Sequence, residues 1–141
     1  MEDQIRNTYY QAFQDLLEEK IKSSSPDLDW LTRLYTEIKQ RLQRLVRPES
    51  PLWREMEENL DPSLFHQMME YKVYNSTDVS RLVTYVFDLC LRLGAPARDH
   101  TTKERRDSLL ENNSQDMSSL VPRFILLANQ TLDEIELDFE K

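Results

Sequence analysis

Residues 76–99, STDVSRLVTYVFDLCLRLGAPARD, constrain the fold of this chain more than any other stretch. Val79, Leu82, Val83, Val86, Phe87, Cys90 and Leu93 recur at helical spacing, so the segment carries a broad apolar face that neighbouring helices must cover. Ser76, Thr77 and Asp78 are competing N-caps, since a side-chain oxygen of each can accept a bond from an orphan amide of the first turn. Gly94 suits the left-handed backbone at which many helices end, and Pro96 discourages continuation. A helix bounded at both ends and apolar along one face predicts a bundle organised around it.

The preceding sequence supplies partners. Over residues 5–21, Ile5, Tyr9, Ala12, Phe13, Leu16 and Leu17 form an apolar stripe, and the Tyr9–Tyr10 pair predicts one ring packed inside and one at the rim. Ser25 and Pro26 mark the start of a long amphipathic helix reaching about residue 46, with Leu31, Leu34, Tyr35, Ile38, Leu42, Leu45 and Val46 on its buried face. Pro48 ends it. Ser50-Pro51 and Asp61-Pro62 then start two short helices by the same logic of a cap followed by proline in the first turn. Their apolar positions are Leu52, Trp53, Met56 and Leu60, then Leu64, Phe65, Met68 and Met69, with the methionines read as core filling.

Beyond Asp99 the pattern weakens. Leu109 and Leu110 suffice for a short helix, and residues 111–116 read as a surface loop. The last helical pattern begins near Asp116, with Leu120, Val121, Phe124, Ile125, Leu127, Ala128, Leu132 and Ile135 as its apolar positions; a cap at Ser118 or Ser119 would put Pro122 near the first turn, a kink at Pro122 being the alternative. Asp133, Glu134, Glu136, Asp138 and Glu140 make an acidic end, available to pair with earlier arginines or to remain solvated. One Gly and six Pro in 141 residues leave these periodic stretches almost uninterrupted. Residues 1–141 therefore read as one all-α domain, an irregular multi-helix bundle with long amphipathic helices; whether it is the N-terminal portion of a longer domain stays open.

A net charge of −8 argues against broad attraction to nucleic acid or an anionic membrane. The opening MEDQIRNTYY lacks the basic and apolar regions of a secretory signal, and no run approaches the roughly 18–20 apolar residues of a membrane span. The expectation is a cytoplasmic protein without integral membrane association, nuclear access being left open. Cys90 stands alone on an apolar face and reads as a packing residue.

The chain has no glycine-rich phosphate loop, no close Cys/His metal pattern and no evident nucleophile–base set, so neither catalysis, a cofactor nor a metal is expected. His66 and His100 read as surface or cap residues. The chemistry that stands out is basic: Arg41, Arg44 and Arg47 cluster at the end of the second helix, beside Lys39 and widened by Arg33 and Arg54. Arg98 and Asp99 follow the Gly94-Ala95-Pro96 break, where their charges can fix the end of the central helix or meet a partner. Arg41, Arg44, Arg47, Arg98 and Asp99 are the candidate partner-binding residues. The favoured partner is a protein with an acidic patch; self-association stays open, and nucleic acid on the Arg41–Arg47 surface is the alternative.

LGAPARD, residues 93–99, resembles the Cys-Ala-Pro-Val/Ala-Arg-Asp signature of the T-complex protein 11 and Sok1-related family, with Gly94 where the family usually has cysteine. LYTEIKQRLQRLVRP, EMEENLDPSLFHQMMEYKVYN, DVSRLVTYVFDLCLRL and LVPRFILLANQTLDEIELDFE are similar to successive family helices, so the resemblance spans roughly residues 31–140. It implies an α-helical protein associated with signalling through cAMP and protein kinase A; amphipathic helices able to build a groove without a catalytic constellation make a noncatalytic adaptor or regulatory interaction module the expected class. It offers no catalytic residue, and the missing cysteine argues against a thiol function.

Overall fold

A computed structural model of the chain describes residues 2–22, 28–71, 76–111 and 117–139. The elements are α1 (Glu2–Lys22), α2 (Leu28–Arg44), α3 (Pro51–Asn59), α4 (Pro62–Tyr71), α5 (Ser76–Leu93), a single 3₁₀ turn (Pro96–Arg98), α6 (Asp99–Glu111) and α7 (Met117–Phe139). No strand occurs among the described residues, and the fold is an all-α multi-helix assembly.

The centre of the packing is α7 rather than α5. It contacts α1, α2, α5 and α6, while α4 lies against α2 and α6 against α5. The reason lies in its composition: Leu120, Val121, Phe124, Ile125, Leu126, Ala128, Leu132 and Ile135 are all buried, giving α7 apolar groups on several sides where α5 has one face. α5 answers with Val83, Val86, Phe87, Leu89 and Cys90, and the Phe87 and Phe124 rings meet at 6.5 Å and 60°. Burial pushes the Cys90 thiol up to about 12, with Arg105 and Arg41 pulling the other way, as befits a packed side chain.

The starts of α3 and α4 follow the expected chemistry, whereas Ser76, Thr77 and Asp78 form the first turn of α5 rather than a cap ahead of it. Ser50 Oγ accepts from the Trp53 amide at 3.2 Å, and Asp61 Oδ1 accepts from the Ser63 amide at 2.9 Å. The Ser25–Pro26 start and most of the loop expected at 111–116 lie outside the described residues. α2 ends at Arg44, two residues short of the expected limit, and buries Leu31, Tyr35, Ile38 and Leu42 as predicted.

Four further expectations change. The α1 helix forms, but Ile5, Tyr9 and Leu16 of its stripe are exposed, Ile5 by 70%. Its packed side is the one with Tyr10, whose hydroxyl donates to Asp133 Oδ2 at 2.6 Å, and Phe13, edge-on to Trp30. Tyr10 is thus the inner ring of the pair and Tyr9 the outer. α6 runs for 13 residues where only a short helix was expected. Pro122 lies in the second turn of α7, inside the helix, because α7 begins at Met117, ahead of the expected cap at Ser118 or Ser119.

Gly94, finally, does not adopt a positive φ. Its reason is closeness: a Cβ there would stand 2.9 Å from the Cys90 carbonyl oxygen and 3.3 Å from Ile135 Cγ1. The absent side chain lets the end of α5 settle on α7. Gly94→Ala is expected to destabilise the fold by about 1–3 kcal/mol, the usual cost of overpacking, read as a lower urea midpoint. A midpoint at or above that of the native chain would mean that the end of α5 yields freely.

Candidate functional site

The expected basic cluster separates into internal struts and surface charges. Arg41 is drawn onto α7: its Nε donates to Glu136 Oε1 at 2.9 Å, Nη1 to Asn129 Oδ1 at 2.8 Å and Nη2 to Asp133 Oδ1 at 2.6 Å. Burial pulls the Arg41 guanidinium down, and the bonds to Glu136 and Asp133 more than offset it, leaving the group above its ordinary value. Lys39 is buried and turns to Glu57 Oε1 at 3.1 Å; Gln43 holds the other Glu57 oxygen at 2.9 Å. These bonds, from Gln43 first and Lys39 second, hold the Glu57 carboxyl below its ordinary value and clamp α3 to α2. Arg44 and Arg47 are exposed.

Arg98 closes a two-pronged pair on Asp138, both bonds at 3.0 Å, and so pins the turn after α5 to the end of α7. Asp99 begins α6, where a carboxylate suits the positive end of the helix dipole. The structure also supplies struts that the sequence did not single out. Arg105 of α6 grips Glu134 at 2.8 and 3.0 Å and reaches Thr131 Oγ1, and Arg106 joins Asp88 of α5. The acidic end of α7 thereby receives one arginine each from α2, the 3₁₀ turn and α6.

A groove of about 950 Å³ opens where α4 faces α5, with Tyr35 of α2 in its wall. Tyr35 stacks on Phe65 at 4.3 Å with the rings nearly parallel, which fixes the inner wall. Leu64, 56% exposed, stands on the α4 side, and Leu82 and Tyr85 line the α5 side. The Tyr85 hydroxyl donates to Glu55 at 3.0 Å; burial and that carboxylate push it up to about 12, so it remains a proton donor. Phe65, Met68 and Leu82 also border a small adjoining apolar pocket of about 20 Å³, with Val83, Val121 and Phe124. Asp61, Asp78, Arg81 and Asp88 stand on its rim, all exposed.

Apolar side chains, hydroxyls and surface charges line the groove, an arrangement suited to binding. Among the described residues no group of three His, Cys, Asp or Glu is placed to hold a metal ion, and no helix is long and apolar enough to cross a membrane.

The chain is 30% identical to the human T-complex protein 11 homolog over 136 residues, 96% of this chain and 25% of that protein. It is 31% identical to human T-complex protein 11-like X-linked protein 1 over 105 residues, 74% of this chain and 20% of that one. The rat T-complex protein 11 homolog is 32% identical over 124 residues, 87% of this chain and 20% of its own. The chain spans a quarter or less of the length of these relatives, and no solved structure matches it. The family profile described as T-complex protein 11 matches residues 1–140, taking in α1 as well as the segments from residue 31 onward. The chain belongs to the T-complex protein 11 family.

Proposed function

We propose that this domain is a noncatalytic helical interaction module whose α4–α5 groove seats an amphipathic helix of a partner protein, in a regulatory role linked to cAMP and protein kinase A signalling, a link for which the family resemblance is the support. The observation that carries the reading is the groove itself: an apolar floor and an exposed leucine open to solvent between two helices, the form that helix-in-groove recognition uses. Its volume falls within the usual range of binding clefts.

The sequence pointed to the arginines, and the geometry redistributes their roles. Arg41 and Arg98 are engaged with α7, so Arg44 and Arg47 remain as the exposed basic surface for the second reading, a nucleic-acid or acidic-protein contact. Affinity capture on the 141-residue chain separates the readings. Protein kinase A subunits, or another signalling protein, held by the native chain and by Arg44→Glu/Arg47→Glu but lost on Leu64→Gln would support the groove. Loss with the double arginine reversal and retention with Leu64→Gln would transfer function to the basic surface, and nuclease sensitivity would identify it as nucleic-acid binding.

A further inference from the structure

We infer that the helix seated in the α4–α5 groove is basic, carrying Lys or Arg on both sides of a large apolar anchor. The inference rests on the groove being the docking face. Charge at the rim supports the first half: Asp61, Asp78 and Asp88 oppose the single guanidinium of Arg81, on a chain whose net charge is −8. Part of the Asp88 charge is met by Arg106 at 3.1 Å, and beside the Tyr85 wall the Glu55 carboxylate and the Arg92 cation act in opposite senses, so the negative bias of the rim rests on Asp61 and Asp78. An acidic helix would bring like charges together at this rim, whereas a basic one is steered toward it and held in register.

The floor supports the second half. Phe65, Met68 and Leu82 line both the groove and the small apolar pocket that adjoins it, so this part of the groove is apolar. Met68 is half-buried, with an unbranched, adaptable side chain, and Leu64 beside it is exposed. Together they offer apolar contact to a Leu, Met or Phe side chain, a central anchor inside a charged rim.

The probes are two fluorescein-labelled amphipathic peptides of about five turns with identical leucine faces, one flanked by Lys and one by Glu. Binding to the 141-residue chain is read by anisotropy at low and high salt. The Lys peptide is expected to bind, the Glu peptide to bind at least about tenfold more weakly, and the difference to shrink in high salt. Asp61→Asn with Asp78→Asn, which retains a capping side chain at position 61, should weaken the Lys peptide; Glu37→Gln with Glu58→Gln, exposed carboxylates outside the groove, should not. Equal binding of both peptides, abolished by Leu64→Gln, would overturn the charge inference and leave the groove standing. No binding of either peptide, or binding indifferent to Leu64→Gln, would overturn both.

Discussion

Phe87→Ala is expected to cost about 3–5 kcal/mol, the largest effect of any single substitution considered for this domain. The ring is fully buried, on the α5 face that meets α7, in edge contact with Phe124. Truncation removes its apolar area from the core and leaves a cavity that two long helices cannot close without shifting along their whole length. Against the 5–15 kcal/mol typical of a folded domain, this is a large fraction of the total. Phe87→Leu keeps most of the volume and should cost under about 1.5 kcal/mol. Urea melts followed by circular dichroism read both values, and a Phe87→Ala midpoint close to the native one would contradict the account of α5 docking on α7.

The second large effect is electrostatic. Arg41→Ala should cost about 2–4 kcal/mol, because it removes three charge-assisted or polar bonds at once and leaves Asp133 and Glu136 facing each other without a cation. Both carboxylates are nearly half exposed, so water recovers part of the loss and the estimate stays below that for the buried ring. Arg41→Lys retains the charge but not the planar three-way reach, and should recover less than half of the stability. Arg44→Ala, one turn away and exposed, should change stability by under about 0.5 kcal/mol. Equal costs at 41 and 44 would mean that the α2–α7 strut is ornamental.

These two predictions mark where the sequence was informative and where it was not. The Phe87 contact belongs to an apolar repeat with strong helical periodicity, and periodicity is local, so α2 and α5 could be read directly. It indicates that a face exists without saying which partner covers it. For α1 the same logic chose Ile5, Tyr9, Phe13 and Leu16; the structure packs Phe13 of that stripe but exposes the other three and turns Tyr10 inward, because a hydrogen bond to Asp133 and a ring contact with Trp30 compete with a purely apolar stripe.

α6 was underestimated for the opposite reason. Its buried positions are Thr102 and Leu109, and much of its attachment comes from Arg105 and Arg106, charged residues that periodicity counts as surface. The acidic end of α7 was visible as a feature, and pairing with arginines was an open option, but matching Arg41, Arg98 and Arg105 to their carboxylates required the fold. Gly94 was noticed for its conformational freedom and is needed for its missing Cβ. The groove had no sequence signature, since Tyr35, Leu64, Leu82 and Tyr85 come from three helices whose apposition is tertiary.

The most direct test of the central claim is an amide chemical-shift map of the ¹⁵N-labelled chain titrated with the Lys-flanked amphipathic peptide. The groove account predicts shifts concentrated at Leu64, Phe65, Met68, Arg81, Leu82 and Tyr85, with Arg44 and Arg47 unmoved. Shifts centred on Arg44 and Arg47, with the α4–α5 amides silent, would contradict it.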